Sequence, residues 1–150
     1  MKHFSLLLLI LLLAACSAGE NPRAAEFVPP AVSSADFGDL RVHYNALPTL
    51  SLNDAVAREY GVSKDAGTGL VVVALRRVTG GEEQAAEGEV SATAYDLQGT
   101  RQNIVFHAAK TGDYTDHIGT FAISSRESYR FEVTLKSGSR SETFKFQRNF

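Results

Sequence analysis

Apolar and polar positions alternate with a period of two through most of the second half of the chain. Tyr129, Phe131, Val133 and Leu135 interleave with Arg130, Glu132, Thr134 and Lys136. Neighbours in a strand point to opposite faces, so this segment has one apolar face and one wet face. The same phase picks out Val42, Tyr44 and Ala46 within 40–47, and Ile104 and Phe106 within 101–109. It also aligns Gly119, Phe121 and Ile123 within 114–123, and Phe144 and Phe146 within 141–150. Segment 69–78 differs: Leu70-Val71-Val72-Val73-Ala74-Leu75 has no polar face and predicts a central strand buried on both sides.

With 89–97 these make seven predicted strands, separated by turn residues such as Gly80-Gly81, Gly99, Gly112-Asp113 and Ser137-Gly138-Ser139. Residues 82–88 read as a polar, acidic loop. The spacing predicts an all-β fold, an immunoglobulin-like antiparallel β-sandwich, with a partly open β-barrel as the alternative. One helical signal interrupts it over 54–60, with Asn53 as N-cap, Asp54 in the first turn and Gly61 as the stop. So short a helix needs packing to persist. Val56 and Tyr60 are four apart, and the expectation is that they face inward while the helix plugs an end or edge of a sheet.

The N-terminal residues follow another logic. Lys2 and His3 precede a pure Leu/Ile run from Leu6 to Leu13, then Ala14, Ala15 and Cys16, the single cysteine. The run is too short to span a bilayer, which takes roughly 20 apolar residues, and it reads as an export signal over 1–15. An aliphatic residue and two small ones before a cysteine also form a lipobox, in which the Cys16 thiolate takes a diacylglyceryl group. Acylation of Cys16 predicts attachment to the membrane, stable once two or more chains are present. Ser17 follows where an aspartate would retain a lipoprotein in the inner membrane, which favours the periplasm-facing leaflet of the outer membrane. Residues 16–35 lack periodicity, hold Pro22, Pro29 and Pro30, and read as a flexible tether. A competing reading docks Phe27-Val28 on the domain, which is expected over 36–150.

Charge narrows the function classes. The net charge is −2 with no basic cluster, which excludes nucleic acid as an expected partner. With Cys16 consumed by lipid no disulfide is available, so burial of apolar surface must supply stability.

Candidate chemistry is sparse. His43 and His107 fall out of phase with the apolar positions and should face solvent or a second layer, whereas His117 shares the phase of Phe121. A metal site would need these histidines to converge with Asp113 or Asp116, and the strand phase predicts none. Asp113-Tyr114-Thr115-Asp116-His117 groups catalytic residue types, but alternate residues diverge and the segment opens a hairpin. No serine lies in a nucleophile elbow, and no glycine pair has the lysine of a phosphate loop. The expectation is therefore no catalytic residue, no metal and no cofactor. A terminal strand at 141–150 would offer an open edge to a partner's strand.

Several segments together resemble one known family. They are Asp36-Phe37-Gly38-Asp39, Val42-His43-Tyr44-Asn45-Ala46, Val56-Ala57-Arg58-Glu59-Tyr60-Gly61-Val62, Gly112-Asp113 before Tyr114, and Phe144-Lys145-Phe146-Gln147. The chain resembles, over about 36–150, the small proteobacterial envelope proteins grouped as domain of unknown function 4426. The resemblance implies an exported β-sandwich and carries no established activity. It marks the His43–Asn45 run as the first place to seek a surface function, with His43, Asn45 and His117 as candidate site residues. The function expected is a non-enzymatic outer-membrane lipoprotein that binds or helps assemble another envelope protein. The alternative is a small-ligand binder or hydrolytic enzyme with a pocket near His43 and His117.

Overall fold

The computed structural model describes residues 33–150. The export signal, Cys16 and the tether up to residue 32 lie outside the described residues, as does Phe27-Val28. Among the described residues ten strands and one short α-helix follow in order: β1 (Ser33–Phe37), β2 (Leu40–Pro48), α1 (Asp54–Glu59), β3 (Thr68–Thr79), β4 (Glu82–Ala85) and β5 (Glu89–Tyr95). β6 (Arg101–Ile104), β7 (Phe106–Thr111), β8 (Tyr114–Ala122), β9 (Ser128–Ser137) and β10 (Arg140–Asn149) complete the chain. They form two antiparallel sheets, one ordered β1-β2-β3-β8-β7 with β4 also on β3, the other β10-β9-β5-β6. The result is the β-sandwich that the alternation predicts. Among the described residues the sheets do not close into a barrel, and no helix is long and apolar enough to cross a membrane.

The inward positions meet in one core. Val42 of β2, Val71, Val73 and Leu75 of β3, Phe121 of β8, and Phe131, Val133 and Leu135 of β9 are all buried there. The other face of β3 is buried as well. Leu70, with Val72 beside it, packs under α1 in a second cluster with Leu52, Ala57, Ala109 and Ile118. This two-sided burial is the physical meaning of the unbroken apolar run.

α1 keeps its predicted caps. The Asn53 side chain accepts from Val56 N at 2.9 Å, Gly61 turns the chain at φ +64°, and Val62 N reaches back to Ala57 O at 2.9 Å. Together with Gly61 N donating to Arg58 O, this is a Schellman ending. The helix lies over the outer face of the large sheet at its β7 edge, where Val56 and Tyr60 meet the apolar surface that Leu70, Val72 and Ile118 present.

Three expectations are corrected. Ser33–Ala35, assigned to the tether, belong to β1 and pair with Val42–Tyr44. The acidic segment expected as a loop contains β4, because Gly80 and Gly81 both adopt positive φ and fold the chain back so that Glu82–Ala85 pair with Arg76–Thr79. Backbone pairing there overrides the poor strand propensity of glutamate.

The third correction concerns 101–109, which is two strands in different sheets. Val105, 84% exposed, sits at the bend, and Ile104 and Phe106 both turn inward around it. Strands that change sheets at a bend form the corners of a sandwich. The side chain of Gln102 seals this corner: its Oε1 accepts from Ala122 N (2.9 Å) and its Nε2 donates to Ala122 O (3.0 Å).

Gly119 stands opposite Phe106 in the β7–β8 register. A Cβ at Gly119 would lie 2.4 Å from Ile104 Cγ2 and 3.2 Å from the Phe106 ring. Gly119→Ala should therefore cost about 1–3 kcal/mol by overpacking, read as a lower urea midpoint with an unchanged slope.

Candidate functional site

The outer face of the large sheet carries the candidate chemistry. His43, Asn45 and Leu47 of β2 stand beside Ala74, Val72 and Leu70 of β3, and Asp116 and Ile118 of β8 follow on the far side. Where α1 ends its cover, a groove of about 320 Å³ opens over this surface, lined by His43, Asn45, Leu47, Val56, Val72 and Asp116 among others.

Each polar group on this face is held by a neighbour. His43 Nε2 donates to Glu83 Oε2 at 2.8 Å, and Glu83 also accepts from Arg41 Nη1 at 3.2 Å. Arg41 in turn grips both oxygens of Asp36 at 2.7 and 2.9 Å. The bond from His43, aided by the Arg41 guanidinium, holds the Glu83 carboxyl below the usual glutamate range against the opposing effect of burial. Asn45 Oδ1 accepts from Ala46 N at 2.9 Å and from Arg148 Nε at 3.5 Å.

A carboxyl with a lowered pKa stabilises the fold above its ordinary value and loses that effect as pH falls through the lowered one. The stability gap between wild type and Glu83→Gln should thus be full near neutral pH and shrink below about pH 4.5. The side chains are partly exposed, so the gap should stay within about 1 kcal/mol. Urea titrations at a series of pH values check it.

His117 does not join His43 and Asn45. It pairs with Val73 in register and points to the sandwich side of the sheet, where Nε2 donates to Gly88 O at 3.0 Å. Its Nδ1 is buried without a partner among the described residues. The alternative pocket near both His43 and His117 is therefore corrected, since strand alternation puts the two rings on opposite faces. His107 Nε2 donates to Tyr60 O at 2.8 Å and ties β7 to the end of α1, the second layer expected for it.

Asp113–His117 likewise fails to assemble into a catalytic cluster. Asp116 accepts from Arg76 Nη2 at 2.9 Å, and Tyr114 lies over the same guanidinium, 4.2 Å from Cζ to ring centroid. No group of three or more histidine, cysteine or carboxylate side chains among the described residues is placed to hold a metal.

Sequence reasoning missed Arg76 and Glu83, and it placed Tyr60 in the core without a part in the groove. The available signal was Arg76 itself, a charge closing an otherwise apolar strand. Such a charge requires a buried counter-ion, and Asp116 on the neighbouring strand supplies it.

These features define a helix-covered β-sandwich whose polar residues on this face are paired with one another. Residues 34–150 match the domain of unknown function DUF4426, and the chain belongs to that family. A crystal structure of a DUF4426 family protein from Pseudomonas aeruginosa PAO1 is similar, at 27% identity and TM-score 0.67 over 79% of this chain and 94% of that one. A copper-bound variant of FetP from uropathogenic Escherichia coli strain F11 shares the fold at 12% identity and TM-score 0.54, covering 80% of this chain and 93% of that one. As-isolated FetP of the same strain, expressed in the periplasm of E. coli, gives 11% identity and TM-score 0.53, covering 81% and 93%. No curated protein matches the chain.

Proposed function

We propose that this protein is an exported lipoprotein, anchored through acylated Cys16 in the periplasm-facing leaflet of the outer membrane. Its sandwich is a non-enzymatic module that binds a strand of another envelope protein along β10. The observation that carries this reading is the β10 edge. All ten residues of Arg140–Asn149 pair with β9, and no strand covers the other flank among the described residues. An edge of that length offers a row of unpaired N–H and C=O groups to an incoming strand.

The edge is also held in place. Arg140 Nη1 donates to Phe37 O at 2.8 Å and to Asp39 Oδ1 at 2.9 Å, while Arg148 Nη2 donates to Ser33 Oγ at 2.9 Å. β10 is thereby stapled to β1 and to the turn that follows it before any partner arrives, which lowers the ordering cost of binding. The leader over 1–15, followed directly by Cys16, supports the address.

A photoreactive residue at Lys145, on the edge, should give a crosslinked adduct of discrete mass when the full lipoprotein is expressed in its own cells. The same residue at Glu132, on the neighbouring β9, should give none. Absence of an adduct from position 145, or identical adducts from both positions, would overturn the edge reading. Fatty-acid labelling of wild type but not Cys16→Ser tests the anchor separately.

A further inference from the structure

The groove beside α1 has a chemistry of its own, distinct from the β10 edge. Val72 and Ala74 form its floor, and Leu47, Leu52 and Val56 its walls. Asp116 is 6% exposed, and it brings a carboxylate to this apolar lining. Its Oδ1 accepts from Arg76, and its Oδ2 accepts nothing among the described residues. Arg76 is outside the groove lining; its guanidinium lies against the Tyr114 ring and donates to Leu75 O. Asp116 thus lines the groove, whereas the Arg76 that binds its Oδ1 does not. Tyr60, also in the lining, has its phenol pKa raised by burial and then by the Asp116 charge, so its ring stands in the field of that carboxylate.

We propose that this groove binds a small organic ammonium ion, a molecule with one apolar body and one protonated amine that donates to Asp116 Oδ2. The charge pattern selects that class. An anion would face Asp116 directly, and the nearby cations Arg76 and Arg41 are already bound to Asp116 and to Asp36 and Glu83. A neutral apolar molecule would strip water from Oδ2 and offer no donor in return, a loss that disfavours it. An ammonium group replaces that water with a charge-assisted hydrogen bond, and its apolar body covers Val72 and Val56. A volume of about 320 Å³ lies at the lower end for ligand sites, so a single ring or short branched chain fits and a folded peptide does not.

The test is an NMR titration of the exported full chain carrying Cys16→Ser, which removes acyl chains that would absorb the probes. Phenethylamine, its neutral counterpart 2-phenylethanol and the anion 3-phenylpropionate are compared by amide shifts. The amine should saturate, with the largest shifts at Asn45, Val56 and Val72. It should bind about tenfold tighter than the alcohol or better, the scale of one charge-assisted bond, and the carboxylate should not saturate. Asp116→Asn keeps an acceptor for Arg76 and should erase the preference for amine over alcohol. Val72→Phe fills the floor and should abolish the amine shifts even if Asp116→Asn does not fold. Equal affinity for the three probes, shifts centred elsewhere, or amine binding that survives Val72→Phe would overturn the proposal.

Discussion

Phe131→Ala is expected to lower the unfolding free energy by about 3–5 kcal/mol, the range for truncating a fully buried aromatic. Phe131 has 0% exposure and joins three strands in one aromatic cluster. Its ring stacks on Phe146 of β10 at 4.7 Å between centroids and meets Phe121 of β8 edge-on at 5.1 Å. Its register partner on β5 is Ala94, too small to close the hole from that side. The cavity should therefore persist and the cost should fall high in the range. Arg130→Ala, one residue earlier, removes only an exposed side chain over Tyr95 at 5.1 Å and should cost less than about 1 kcal/mol. Urea titrations of the two variants measure the difference. Comparable losses would place the wrong face of β9 in the core.

The inward face of β9 was legible because its alternation is uninterrupted from Tyr129 to Leu135. β2, β3 and α1 were legible for equally local reasons: phase, an unbroken apolar run, and a capped turn. What could not be read locally was the pairing of distant segments. β4 looks like a loop until the Gly80-Gly81 reversal brings Glu83 between Arg41 and His43, which precede it by 42 and 40 residues. The break at Val105 is hidden because Ile104 and Phe106 keep one phase while their strands enter different sheets. The candidate site suffers most from this. Alternation separates His43 from His117 only once the register of β2, β3 and β8 is known, and Arg76 with Asp116 is a contact across strands 40 residues apart.

Asp116→Ala should cost about 3–5 kcal/mol, as large an effect as the loss of Phe131, because it leaves a buried guanidinium without its counter-charge. Arg76 is 9% exposed and retains only the Leu75 carbonyl and the Tyr114 face when Asp116 is gone. Neither can neutralise it. Arg76→Leu alone should cost less, since the carboxylate it abandons belongs to a residue that lines the groove. The double variant Arg76→Leu/Asp116→Ala removes two desolvated charges at once and should cost less than Asp116→Ala alone, with a coupling of about 0.5–3 kcal/mol. Chemical denaturation of the four proteins closes the cycle. Strict additivity, or an Asp116→Ala cost below about 1 kcal/mol, would mean that water reaches Arg76 freely and that the pair is a surface contact. A double variant as stable as wild type would show that the ion pair adds no net stability to the strand pair. Fold stability alone would then give no reason for a carboxylate at position 116, which the proposed ammonium site would supply.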